Sequence, residues 1–406
     1  MNDSLLIPSD ALPLGFRFAA VKAGIKASGK LDFAVAAADK PASAAAVFTS
    51  NQVVAAPIIV GRRHLQQGAQ RVRVVAVNAG NANCATGQPG IEACERVCEA
   101  AAGILECKTS EVFPSSTGII GVPLPAEKPI AALPQIASTL AATPEQFSEF
   151  ALAIMTTDTK PKVAHASLTI DGKQVRIAGV CKGAGMIFPQ LAPHATMLVY
   201  VFTDADIDPS TLNALLQQSV EASFNRISID GDTSTNDTVL LLASGASGAR
   251  VDTAHTAFSD ALTHVCISLA KQIVNDGEGV THVVELQIEG AATDRDALTV
   301  ARSIAHSPLV KTAWAGCDPN WGRLMAAAGY SGAKIDPNRI SIWFGEQQIA
   351  GNGLRVADFD EAAAHNYLKQ REYTIRMDLG VGDGRCRFWT TDLTAEYVSI
   401  NADYST

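Results

Sequence analysis

Residues 71–83 read RVRVVAVNAGNAN, an apolar core behind spaced arginines that ends in glycine and asparagine. The pattern predicts a buried strand running into a loop. TPEQFSEFALAIMTTD predicts a helix: Thr143 caps it, Pro144 suits the first turn and Gln146 completes a capping box. Phe147, Phe150, Ala151 and Ile154 recur at helical spacing and make its apolar face. DPSTLNALLQQSVEASF predicts a second helix, capped at Asp208–Pro209, with Leu212, Leu215 and Leu216 inward. A third covers 256–274, with Phe258, Ala261, Leu262, Val265 and Leu269 on one stripe, and stops at the turn-rich NDGEGVTH. VELQIEG then alternates as a half-buried strand. YTIRMDLGVGDGRCRFWTTDLT reads as two strands joined by a turn around Asp383–Gly384. The proline-rich stretch 122–134 is the most loop-like connector, and no repeat is present.

Strands and helices mix along 406 residues, too many for one simple core, which points to two or three packed units. Apolar runs such as MLVYVF fall well short of the roughly 20 residues a membrane helix needs. The first residues lack a basic region followed by an apolar one, so no signal peptide is expected. A net charge of -9 without a Lys/Arg block argues against nucleic acid or anionic lipid as partner. The eight cysteines include no C-x-x-C, and Cys94 and Cys98 lack a further ligand at zinc spacing. Reduced, buried thiols in a cytoplasmic protein fit this usage.

Four loops rich in Gly, Thr, Ser, Asn and Asp border strands: SSTGIIG, KGAGMI, DGDTSTNDT and DPNWGR. Together they predict a site built from loops on a rigid scaffold. DGDTSTNDTVLL is not a calcium loop, because its sixth residue is Thr235 rather than Gly and its twelfth Leu241 rather than Glu. KGAGMI is not a phosphate loop, because Lys182 precedes both glycines. Between Pro193–His194 and MLVYVF stands the polar Thr196. A threonine freed at an N-terminus is activated by its own amine, whose pKa of about 7.7–8 leaves it partly neutral near pH 7. That chemistry requires the chain to be cut before it.

The chain resembles the ornithine acetyltransferases, or glutamate N-acetyltransferases, of arginine biosynthesis. The resemblance runs nearly end to end, through AGIKASGKLDFAV, NAGNANCATG, SSTGIIG, TTDTKPK, KGAGMI, ATML, DGDTSTNDT, DGEG, SPLVKTAWAGCDPNWGR and INADYST. It implies an α/β fold of layered sandwich units assembled from both halves of a self-cleaved precursor, 1–195 and 196–406. It implies cleavage at Ala195–Thr196 and ping-pong transfer of acetyl from N-acetylornithine to glutamate through Thr196. Thr117 and Gly118 are then expected at the oxyanion and Lys182 at the substrate carboxylate. Glu278 is expected at ornithine's ammonium, with Thr156 or Thr157, Asn401 and Thr406 completing the site. No cofactor or metal is implied; acetyl-CoA is a further candidate donor, and a heterotetramer of cleaved chains the expected assembly. The chain departs from the family in the link FPQLAPH (188–194), three residues longer than usual, which sets Pro193 and His194 against the scissile bond. Two other readings stay open: a self-cleaving amidohydrolase or aminopeptidase, and a non-catalytic binding protein on the same fold.

Overall fold

A computed structural model describes residues 7–189 and 197–403. Two sheets carry the fold. The first has eight strands: β1 (Phe16–Val21), β2 (Phe33–Phe48), β3 (Arg71–Asn81), β4 (Val112–Ile119), β5 (Lys162–Ile170), β6 (Lys173–Lys182), β7 (Leu198–Thr203) and β8 (Thr238–Ala243). Their order is β4-β3-β2-β8-β7-β6-β5, with β1 beside β2. The second has six: β9 (Val283–Ala291), β10 (Ser341–Phe344), β11 (Gln347–Gly351), β12 (Leu354–Arg355), β13 (Glu372–Asp378) and β14 (Gly384–Thr391), in the order β12-β11-β10-β13-β9-β14.

The helices are α1 (Ala56–Gln67), α2 (Gly87–Ile104), α3 (Glu127–Thr139), α4 (Pro144–Ala153), α5 (Pro209–Ala222), α6 (Thr256–Asn275), α7 (Asp294–Ala305), α8 (Pro308–Ala315), α9 (Trp321–Gly329), α10 (Glu361–Leu368) and α11 (Ala395–Asp403). Strands β7 and β8 sit mid-sheet and are apolar on both faces, as a doubly covered strand must be. Val199, Val201, Val239 and Leu241 pack with α5 and α6. Tyr200, Phe202, Leu240 and Leu242 pack with Phe147 and Phe150 of α4. The core on α6 also takes in Val283 and Trp389, so this helix lies between the two sheets. A separate core joins the second sheet to α7, α9 and α10. The architecture is the layered α/β sandwich expected from the sequence, and its central sheet draws on both halves of the chain.

The helices predicted at 143, 208 and 256 form where expected, with Thr143 and Asp208 as N-caps. Only half of the first capping box is made: Thr143 accepts from the Gln146 N–H, but Gln146 Oε1 is buried without a partner. Two expectations fail. The stretch 122–134 is no connector, since α3 begins at Glu127. Pro129 falls in its first turn, where no N–H is needed, and Pro134 is accommodated inside it. The terminal pair β13 and β14 both form but do not pair with each other. β9 lies between them, parallel to β13 and antiparallel to β14. The link 379–383 bridges two strand spacings, roughly 10 Å, because Leu379 donates to Glu289 O while Val381 and Gly382 donate to Gly290 O.

Candidate functional site

One end of the first sheet opens into a cleft of about 200 Å³. Three of the four polar loops converge on it: SSTGIIG at the end of β4, KGAGMI after β6 and DGDTSTNDT before β8. The fourth, DPNWGR, runs into α9 and is not part of the wall. Sheet register makes the convergence. Lys182 pairs with Leu198, and Leu198 with Thr238, so the end of β6 and the starts of β7 and β8 lie side by side. Thr117, Gly118, Thr156, Thr157, Lys182, Glu278 and Asn401 all line the cleft, both threonines of the adjacent pair included. Met197 lines it too. The expectations on Ala195, Thr196 and Thr406, and on most of the longer link, lie outside the described residues.

The inner wall is buried and charged. Lys182 Nζ donates to Thr117 Oγ1 at 3.2 Å. Burial pushes this lysine below its ordinary pKa, against the pull of Asp158, Glu278 and Asp237. Behind it, Lys162 Nζ lies 2.6 Å from both Asp158 and Asp276. Asp158 also accepts from the N–H groups of Gly183 (2.6 Å) and Thr156 (2.9 Å), which fixes the loops after β6 and α4 together. Burial pushes the Asp158 carboxyl up, but Lys162, Lys182 and these bonds outweigh it and hold the group at about 2. Gly118 has φ +132, and a Cβ there would stand 2.3 Å from the Gly80 carbonyl carbon. Only glycine allows β3 and β4 this approach.

The outer wall is thinner. Asn401 Nδ2 donates to Glu278 Oε2 at 2.9 Å, and a Cβ on Gly185 would strike the same carboxylate at 2.4 Å. Asn401 is carried by α11, which buries none of its residues. Three contributors escape the sequence reading. Asp230 accepts from the N–H groups of Met186 (2.7 Å) and Ile187 (2.8 Å), holding Met186 at φ +56. Tyr397 donates its hydroxyl to Asp230 at 3.3 Å. Asn236 ties its loop to the opposite wall through Ala82 O and Ser116 O. Asp230 and Asn236 stand inside DGDTSTNDT, expected to help build the site but not as a calcium loop, and without individual residues named; nothing in the sequence marks Tyr397. Among the described residues no group of three or more His, Cys, Asp or Glu is arranged to hold a metal ion. No described helix is long and apolar enough to cross a membrane.

The chain belongs to the ArgJ family, whose model matches residues 17–406. It is 43% identical over 396 residues to the arginine biosynthesis bifunctional protein ArgJ of Geobacter sulfurreducens, covering 97% of this chain and 99% of that one. It is 46% identical over 398 residues to the protein of the same name from Rhizobium meliloti, covering 96% and 95%. Among solved structures, arginine biosynthesis bifunctional protein argJ from Bacillus halodurans is 42% identical with a TM-score of 0.48, covering 50% of this chain and 96% of that chain. Ornithine acetyltransferase from Mycobacterium tuberculosis, complexed with ornithine, is 34% identical with a TM-score of 0.40, covering 48% and 98%.

Proposed function

We propose that this chain is an acyltransferase of arginine biosynthesis that cuts itself at Ala195–Thr196 and carries acetyl from N-acetylornithine to glutamate on Thr196. One observation supports it above others. Residues from five separated segments, Thr117–Gly118, Thr156–Thr157, Lys182, Glu278 and Asn401, line the cleft together with Met197, the covalent neighbour of Thr196. A buried ammonium and a carboxylate in one small cleft suit a zwitterionic amino acid.

In this reading the freed Thr196 amine takes the proton of its own hydroxyl, and the hydroxyl oxygen attacks the acetyl carbonyl. Thr117, whose oxygen accepts from Lys182, offers its O–H to the oxyanion beside Gly118. Ornithine departs with a proton, and glutamate's amine takes the acetyl group. Lys182 holds the α-carboxylate common to both amino acids, and that charge restores the lysine's preference for its protonated form. After cleavage the halves stay joined, because β7 and β8 lie between β6 and β2 of the first half.

The test is the denatured mass of wild type and Thr196→Ala, each with and without N-acetylornithine. The expected result is two fragments for wild type, the second starting at Thr196 and gaining one acetyl group, and one uncut chain for the variant. An uncut wild type sinks the cleavage reading. A cleaved enzyme that loses the acetyl group to water as fast with glutamate as without makes it a hydrolase.

A further inference from the structure

Six of the eight cysteines are buried, and only Cys107 and Cys317 are partly exposed. Their surroundings differ. Burial and Glu111 push the Cys107 thiol up to about 11. Cys317 Sγ lies 3.6 Å from His282 Nε2, within reach of an S–H···N hydrogen bond. The imidazole is fixed for this role. Its Nδ1 is 2.8 Å from Gln370 O, and a carbonyl can only accept, so Nδ1 carries the hydrogen and Nε2 offers its lone pair to sulfur.

The cysteine is fixed as well. Its N–H donates to Trp314 O, its C=O accepts from His365 Nδ1 at 2.8 Å, and its φ is +52. Close by, the Tyr373 ring lies 5.8 Å from His282 and its buried hydroxyl has no partner. Burial pushes that phenol up, and Asp392 and Cys317 push it the same way. A thiol, a base, a group orienting the base and an unused buried donor are the elements of an activated nucleophile. None of them lines the cleft.

We propose that Cys317 and His282 form a thiol–imidazole pair that makes Cys317 this chain's site of modification by hydroperoxides. His282 takes the thiol proton and sulfur attacks the near peroxide oxygen. The O–O bond breaks, leaving Cys317 as a sulfenic acid, and the leaving oxygen recovers the proton as water from hydrogen peroxide or as an alcohol from an organic hydroperoxide. Sulfur is oxidised by two electrons and the peroxide reduced by two.

The site is wired to the outer wall of the cleft. His282 O accepts from Asp392 N at 3.1 Å, Asp392 accepts from the Thr281 N–H and hydroxyl, and Thr394 donates to Gly279 O at 2.7 Å. Oxidation at Cys317 therefore disturbs the segment that carries Glu278. This last link rests on the acyl-transfer reading; the reactivity of Cys317 does not.

The test exposes the native full chain to limiting hydrogen peroxide with a sulfenic-acid trap and reads each cysteine by mass spectrometry. Cys317 is expected to be trapped at least about tenfold faster than Cys107. His282→Asn keeps a donor for Gln370 O and removes the base; it should slow Cys317 about tenfold and leave Cys107 unchanged. Equal trapping of the two cysteines in wild type overturns the proposal, as does a folded His282→Asn chain that reacts at Cys317 as fast as wild type. If that variant does not fold, the wild-type ratio decides. In a separate arm, peroxide should raise KM in wild type and not in Cys317→Ser. A KM raised equally in both overturns the coupling alone.

Discussion

The two walls of the cleft are built on opposite terms. The inner wall, Lys182 with Asp158, Lys162 and Asp276 behind it, is almost wholly out of solvent. Its charges have been stripped of water, so each depends on its partners for compensation. The outer wall, Glu278 with Asn401 and Tyr397, is half exposed and hangs on α11. A buried charged wall is fixed as soon as the chain folds, since it has no favourable alternative arrangement. A wall held by a few hydrogen bonds at the surface can be altered at little cost to the fold. Apart from Lys182, which in the proposed reading also holds the α-carboxylate, the inner wall should therefore govern stability and the outer wall affinity.

The sharpest way to break this contrast is to remove Lys162. Lys162→Met leaves Asp158 and Asp276 facing each other in the core with one cation lost. The expected loss is about 3–5 kcal/mol, read as a shift of the urea midpoint at unchanged slope. A loss below about 1 kcal/mol, the range of surface pairs, would mean the network is solvated and the contrast false.

Acid tests the same wall without a mutation. Asp158 is held at about 2, below the ordinary aspartate value of 3.8. A carboxyl whose folded pKa is depressed adds stability above its unfolded pKa and loses it as pH falls through the folded one. The window thus runs from about pH 4 down to about pH 2, and the contribution is about 2 kcal/mol. Stability curves of wild type and Asp158→Asn should converge as pH falls through that window. Parallel curves would place the protective charge elsewhere.

The contrast also explains what could be read from the chain. Helices α4, α5 and α6 were legible because the caps of the first two and the apolar stripes of all three are local. The run MLVYVF, which supplies most of β7, was legible because its apolar residues are contiguous. The Asp158–Lys162–Asp276 network was not: its partners lie 114 residues apart between Lys162 and Asp276, and only the β5–α6 packing unites them. The insertion of β9 between β13 and β14 was hidden for a related reason. A short link between two strands looks like a hairpin whether or not a third strand passes between them. Residues of the cleft were recovered mainly through family motifs, since Glu278 in a glycine turn and Asn401 near the chain's end carry no local signal of their own. Tyr397 lies in no quoted motif and was missed.

The smallest expected effect is the most informative about the outer wall. Asn401 is exposed, and its side chain donates to Glu278 Oε2 and to Tyr397 O. Asn401→Ala should leave the urea midpoint within about 0.5 kcal/mol of wild type, since no buried group is uncovered. Losing one hydrogen bond to a carboxylate is worth about 1.4 kcal/mol, so KM for N-acetylornithine should rise about tenfold. If Glu278 only binds the substrate ammonium, it does so equally in ground and transition states, and kcat should stay the same. A fall in kcat at constant KM would show instead that the Glu278 carboxylate must be aligned for the chemical step. The outer wall would then join Thr117 of the proposed mechanism in acting on the reacting atoms, and the division between a wall for folding and a wall for binding would have to be redrawn around Glu278.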